Sequence, residues 1–187
     1  MNYWNEPYPS SIEALIKKCE TGLKTITSAL EDGQCRTLGE LFIDDNGMIK
    51  RLKSEFKNLG YEPNTKLHKK LKTNNEIKGI YVFGESTRGG VVPRYIGISG
   101  TIFRRLKQHG WGKLHNEATL AYLKAASKTQ YKGQRKHYPF ADIEKQQKII
   151  RQYKVALLPE LLDFDLYFME VYFAGKLKTL WNSFKTH

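Results

Sequence analysis

Apolar residues recur at helical spacing through the first third of the chain and change to short, dense β-type runs near residue 77. Ile12, Leu15, Ile16 and Cys19 follow Ser10-Ser11, residues whose hydroxyls cap helices, and predict an amphipathic helix. Ile26 and Leu30, then Leu38, Leu41 and Phe42, continue a mainly helical pattern. Asp44-Asp45-Asn46-Gly47 is a turn signal without the ligand spacing of a calcium loop. Leu52, Phe56 and Leu59 close this region at Gly60, a C-capping glycine. The Lys- and Asn-rich stretch from Asn64 to Asn75 reads as a linker. It divides the chain into a mainly helical N-terminal accessory region, 1–75, and a second region, 76–187.

Beyond the linker, Ile77–Phe83 (IKGIYVF) and Tyr95–Ile98 (YIGI) carry the β-branched and aromatic residues of strands. ESTRGGVVPR lies between them, and its Gly89-Gly90 predicts an antiparallel hairpin with a longish loop. Ser99-Gly100-Thr101 is placed to cap a short helix, TIFRRLKQH, ending at Gly110, and Asn116 to cap another through Lys128. Further helices are expected over Ala141–Tyr153 and Phe168–Leu180, with a strand at Lys154–Leu158. Gly175 weakens the last helix by about 1 kcal/mol relative to Ala. The expected class is α/β (α+β): a small three-stranded antiparallel sheet flanked by helices, preceded by the mainly helical N-terminal region.

Composition adds a partner class. Of 187 residues 40% are hydrophobic, enough for a buried core in one domain with or without an appendage. Lys and Arg number 31 against 19 Asp and Glu, a formal charge of +12. Most of the excess falls in 104–154, where 13 basic residues face only Glu117, Asp142 and Glu144. Such a field attracts a polyanion, DNA or RNA or an anionic membrane surface, unless these are simply solvated helix faces. No apolar run reaches transmembrane length and the first ten residues lack signal-peptide character, so no membrane association is expected. Cys19 and Cys35 have no zinc-type spacing and read as reduced thiols, which points to the cytoplasm.

A G-x-S-x-G elbow, a Walker A loop, H-E-x-x-H and a Cys/His zinc array are all absent. Present instead are GIY at Gly79-Ile80-Tyr81 and YIG at Tyr95-Ile96-Gly97. With these strings the chain resembles the GIY-YIG nuclease superfamily over about 110 residues, Ile77 to His187, and not over its N-terminal third. The resemblance implies a phosphate-binding arginine at Arg105, ten positions after Tyr95, and a partner at His109, four further on. It also implies a metal-binding glutamate at Glu170, within MEVYFAGKLKTLWN, and a late site asparagine at Asn182. The implied activity is endonucleolytic hydrolysis of DNA with Mg²⁺ or Mn²⁺ held at Glu170, RNA being a further candidate substrate. The loop between the two strings is longer than in the most compact members. Five residues follow Asn182, and there are no cysteines for a zinc-binding partner domain. A compact stand-alone or restriction-like enzyme is therefore expected, as a monomer or a homodimer.

Each candidate also has a job and an ordinary alternative that owe nothing to the resemblance. Tyr81 and Tyr95 meet if the hairpin forms; a phenol can orient a water and, with its pKa lowered by a cation, accept its proton. Either tyrosine could equally be a strand packing residue. Arg105 and His109 share a helix face, where a guanidinium can grip a phosphate and an imidazole can relay a proton, or where both can be solvated. Glu170 in the apolar run FMEVYF suits a carboxylate that holds a cation, or one on the exposed side of a half-buried helix. Asn182 could also be a helix C-cap. Two other functions compete: a catalytically inactive nucleic-acid-binding module with the same fold, and a basic interaction domain in which GIY and YIG are coincidental core strands.

Overall fold

Alternation along the central strand organises the molecule. The computed structural model describes residues 8–63, 75–114 and 116–182. In chain order the elements are α1 (Ile12–Glu31), β1 (Phe42–Asp45), β2 (Met48–Arg51), α2 (Lys53–Asn58), β3 (Gly79–Thr87), β4 (Gly90–Ser99), α3 (Ile102–Trp111), α4 (Thr119–Lys128), a 3₁₀ turn at Arg135–His137, α5 (Phe140–Ile150), β5 (Lys154–Pro159) and α6 (Asp163–Leu177). The main sheet is three-stranded and antiparallel in the order β4-β3-β5, and β1 pairs with β2 in a separate hairpin. The fold is thus mixed α/β, with a small antiparallel sheet between helices. Among the described residues no helix is long and apolar enough to cross a membrane.

Side chains of β3 alternate between two buried layers. Ile80 and Val82 join Ile96 and Ala156 against Leu15, Cys19 and Ile26 of α1 and Met169 and Phe173 of α6. Tyr81 and Phe83 point the other way, to Phe103 and Leu106 of α3, Ala121 of α4 and Ile143 of α5. Both faces of the centre strand are therefore dry, which is why GIYVF reads as a continuous apolar run. Leu38, Leu41, Phe42 and Phe56 belong to the Tyr81 layer. Chain on both sides of residues 64–74 thus shares the same two cores. Backbone bonds tie the regions further: Leu38 N–H donates to the Tyr153 carbonyl at 2.8 Å and Gly39 N–H to that of Arg151 at 2.7 Å.

Several local details differ from the sequence expectations for stated reasons. The hairpin loop is short, because β3 and β4 continue through EST and GVVP to pair Thr87 with Gly90. A register shift between Phe83 and Gly84 places Pro93 opposite Gly84 on the edge strand, where a missing N–H is tolerated. The N-terminus of α3 is capped from a distance: the Glu76 carboxylate accepts from Phe103 N–H at 2.9 Å and Arg104 N–H at 3.2 Å, while Thr101 makes no side-chain cap bond. The next helix starts at Thr119 with Ala118 before it, and Asn116 instead gives its carbonyl to Arg105 and Thr119. The last helix begins at Asp163, behind an apolar residue, Leu162, that gives no cap signal. Ser11 does cap α1, accepting from Ala14 N–H at 3.1 Å. The N-terminal region also holds the β1–β2 hairpin around the 44–47 turn. The expected linker lies outside the described residues except for Asn75.

Candidate active site

Tyr81 and Tyr95 come from neighbouring strands, and Arg105 and His109 from the helix that follows, so a single stretch of chain assembles four candidates. Pairing sets Tyr81 opposite Gly97 and Tyr95 opposite Phe83, all on one face of the sheet. The Tyr81 ring lies across Gly97, where any Cβ would fall inside the phenol, and a Cβ at Gly79 would collide with the Leu158 carbonyl of β5. The glycines of both strings are thus demanded by close approach. On α3 the i, i+4 pair Arg105 and His109 turns toward the tyrosines. His109 Nε2 lies 2.8 Å from the Tyr81 hydroxyl. The His109 ring is 5.5 Å from that of Tyr81 and 5.4 Å from that of Tyr95, and the two tyrosine rings are 6.2 Å apart. Tyr81 is 1% and His109 0% exposed, whereas Tyr95 is partly open.

Burial sets the protonation states. It pushes the Tyr81 phenol well above its ordinary value, helped by the Tyr95 phenol and only partly offset by Arg105. Tyr95 is raised by burial too, against the pull of Arg105 and with a push from Glu170. His109 is driven well below its ordinary value by burial, then by the fields of Arg105 and Arg135. Two protonated phenols surround a neutral imidazole. Arg105 does lower the Tyr81 pKa, as a nearby cation should, but loss of water outweighs the guanidinium and the net shift is upward. In the tautomer that lets Tyr81 donate to Nε2, the imidazole proton sits on Nδ1, which is buried without a partner among the described residues.

Arg105 is held by neutral acceptors. Its Nη1 donates to Gln108 Oε1 at 3.3 Å and to the carbonyls of Asn116 and Glu117 at 3.4 and 3.0 Å, and its Nη2 to Thr119 Oγ1 at 2.9 Å. Thr119 Oγ1 also accepts from Arg135 Nη2 at 3.2 Å, and the Arg135 guanidinium stacks 4.6 Å from the Tyr122 ring centre. Arg135, Thr119 and Tyr122 complete the cluster without any motif to mark them. The only trace in the sequence is that Arg135 belongs to the basic run 104–154.

The remaining candidates stand at the margin. Glu170 lies on α6, whose buried side chains pack on the opposite face of the sheet from Tyr81. Even so, its charge bears on Tyr95, beside the edge strand β4. It makes no direct bond to Tyr81 or Arg105 among the described residues. Asn182 is a backbone clamp: its amide accepts from Ile96 N–H and donates to the Ile96 carbonyl, both at 2.9 Å, and Thr179 Oγ1 donates to it at 2.9 Å. It fixes β4 beside Tyr95 and does not reach the phenol cluster itself. No family model matches the chain, and neither does a curated protein or a solved structure.

A cation at Glu170 can be judged on that carboxylate alone. It is partly buried, its pKa is raised by desolvation, and it has no ion-pair or hydrogen-bond partner among the described residues. No group of three His, Cys, Asp or Glu suited to a metal occurs among them. One desolvated carboxylate fits a hard ion such as Mg²⁺ or Mn²⁺, which takes one or two protein oxygens and fills its sphere with phosphate and water.

Proposed function

We propose that the chain is a Mg²⁺- or Mn²⁺-dependent DNA endonuclease of GIY-YIG type, compact and restriction-like or stand-alone. We further infer that it acts in the cytoplasm as a monomer or homodimer, with RNA as a second candidate substrate. The observation that carries this reading is the 2.8 Å contact of Tyr81 with a buried neutral His109, inside a cluster that also holds Tyr95 and Arg105. A packing tyrosine has no use for a buried imidazole that keeps a second nitrogen unsatisfied, since an apolar neighbour would cost less.

The residues divide the work of phosphodiester hydrolysis. Arg105, assisted by Arg135, grips the scissile phosphate and steadies the charge that moves onto its oxygens. Tyr95, the more open phenol, meets the attacking water with Tyr81 behind it. As the water oxygen bonds to phosphorus, its proton passes to the Tyr95 hydroxyl, the Tyr95 proton to the Tyr81 hydroxyl, and the Tyr81 proton to His109 Nε2. The P–O bond to the leaving oxygen then breaks, that oxygen takes a proton from solvent water, and His109 returns its proton to solvent. DNA makes this transfer easier, because its phosphate offsets the two arginine fields that depress the imidazole. A divalent cation at Glu170 would neutralise charge on the leaving oxygen. Asn182 keeps Tyr95 in register. Incubation with supercoiled plasmid and Mg²⁺, against an EDTA control, tests the reading: nicked or linear product only with the metal is expected. Salt-sensitive retention of DNA with no cleavage under either metal would replace it with the inactive binding module.

A further inference from the structure

The N-terminal hairpin has a use that the nuclease cluster does not absorb. Between β2 and the outer side of α3 lies an open cavity of about 550 Å³, bordered by Arg51, Lys53, Phe103, Arg104 and Lys107 and by one carboxylate, Glu76, which caps α3. A second cavity, about 620 Å³, shares Arg104 and Lys107 and continues the trough to Trp111 and Lys113. The side chains of Lys53, Arg104 and Lys107 form no ion pair among the described residues. Glu76 offsets part of the field of Arg51 and Arg104, and the cavity keeps a cationic surplus around that one carboxylate.

Arg51 is built differently from these exposed cations. Its guanidinium lies 3.9 Å from the centre of the Phe103 ring, and its two terminal nitrogens donate to the Asn75 carbonyl at 3.0 Å and to Asn75 Oδ1 at 2.9 Å. The ring contact and the two bonds to Asn75 hold the guanidinium before any ligand arrives, so little entropy remains to be lost on binding. A fixed guanidinium plane beside an apolar wall and three free cations suits a planar aromatic ring joined to phosphates.

We infer that the trough between β2 and α3 is a subsite for an unpaired nucleic-acid strand, with one base stacked on Arg51 and flanking phosphates held by Lys53, Arg104 and Lys107. Duplex is the poorer fit, because its bases are already stacked on one another and could use only the basic rim. Continuity with the phenol cluster favours a strand over a free nucleotide. Arg104 and Arg105 are consecutive on α3 and point about 100° apart, so a strand gripped at Arg105 passes directly onto the outer side of the helix. This inference rests on the nucleic-acid reading of the cluster and makes residues 42–53 the part that selects a substrate with a single-stranded segment.

The test is fluorescence anisotropy in metal-free buffer with a short labelled duplex, with and without a single-stranded extension. The wild type should bind the extended probe more tightly. Arg51→Lys keeps the charge and loses the plane, and should cancel roughly tenfold of that preference while leaving plain duplex unchanged. Because Arg51 also secures Asn75, the exposed pair Lys53→Gln/Lys107→Gln provides a second route. It should weaken the extended probe and lower its salt slope by roughly one to two, whereas Lys17→Gln/Lys24→Gln on α1 should not. No gain from the extension in the wild type, or equal losses in the two lysine pairs, would overturn the subsite. Plasmid cleavage that is sensitive to Arg105→Ala but not to the trough variants would leave the nuclease reading standing without it. Extension binding through Arg51 in a protein that cuts nothing would do the reverse.

Discussion

The two faces of the sheet bury charge in opposite ways. On the α1 face Lys18 Nζ lies 2.5 Å from both Glu160 and Asp165, whose side chains are 9% and 5% exposed. Glu160 also accepts the N–H groups of Leu161 and Leu162, at 2.8 and 3.1 Å. Burial alone would raise the Glu160 pKa, but Lys18 and the two amides outweigh it and hold it below its ordinary value. On the α3 face two arginines share one threonine hydroxyl, and Arg105 rests wholly on neutral acceptors. The imidazole beside them is pushed down, and Glu170 beyond Tyr95 is pushed up by burial. The first face carries a net negative cluster, one lysine between two carboxylates with Asp165 Oδ1 unpaired, and it fixes the β5–α6 connection to α1. The second carries surplus positive charge beside unionised acid–base groups, which the proposed function assigns to an incoming phosphate.

Four experiments press on this contrast. The largest effect is expected from Glu170→Ala, which should slow single-turnover cleavage a thousandfold or more, about 4 kcal/mol, with DNA affinity kept within a few-fold. A fully active variant would remove Glu170 from the site. Glu160→Ala, on the acidic face, should reduce unfolding free energy in urea by about 3 kcal/mol, because it leaves the Leu161 and Leu162 amides without their acceptor and Lys18 with one carboxylate in place of two. Its folded fraction should cleave at the wild-type rate. Arg105→Lys keeps the charge but loses the planar fork, for roughly a hundredfold in rate or about 2.7 kcal/mol. Arg104→Lys, one position along α3, should be nearly silent in the chemical step. Equal losses at the two positions would make α3 a solvated basic helix and nothing more.

The smallest effect is on stability against pH. His109 is neutral when folded and has the ordinary value of 6.5 when unfolded, so below 6.5 the unfolded chain binds a proton that the native chain refuses. Its contribution is complete above that value and is lost as the pH falls beneath it. Glu76 and Glu170, raised by burial, act in the opposite sense nearer their own range and are common to both proteins. The difference between wild-type and His109→Gln stability curves should therefore open on the acid side. Parallel curves would mean that the native chain protonates His109 as readily as the unfolded one, against its burial.

What the sequence disclosed follows from how local each signal is. The central strand, the turn at Gly89-Gly90, the Ser11 cap and the i, i+4 pairing of Arg105 with His109 each depend on residues within a few positions, and the structure contains all of them. The cap on α3 was hidden, because it comes from Glu76, more than twenty residues upstream. Arg135 was hidden for the same reason: its place beside Thr119 depends on how α4 and the following turn fold back. The direction of the Tyr81 pKa was invisible in principle. The guanidinium that lowers it is named by the motif, but the burial that raises it is a property of the whole α3–α4–α5 layer.

The central claim is that Tyr81 handles a proton and is not a packing residue. Tyr81→Phe tests it most directly, since it removes one oxygen from a fully buried ring and leaves the contacts with Phe83 and Gly97 in place. Single-turnover cleavage of a defined duplex with saturating Mg²⁺ should slow by roughly a hundredfold or more while the variant binds DNA as the wild type does. Equal cleavage rates for Tyr81→Phe and wild type would contradict the account.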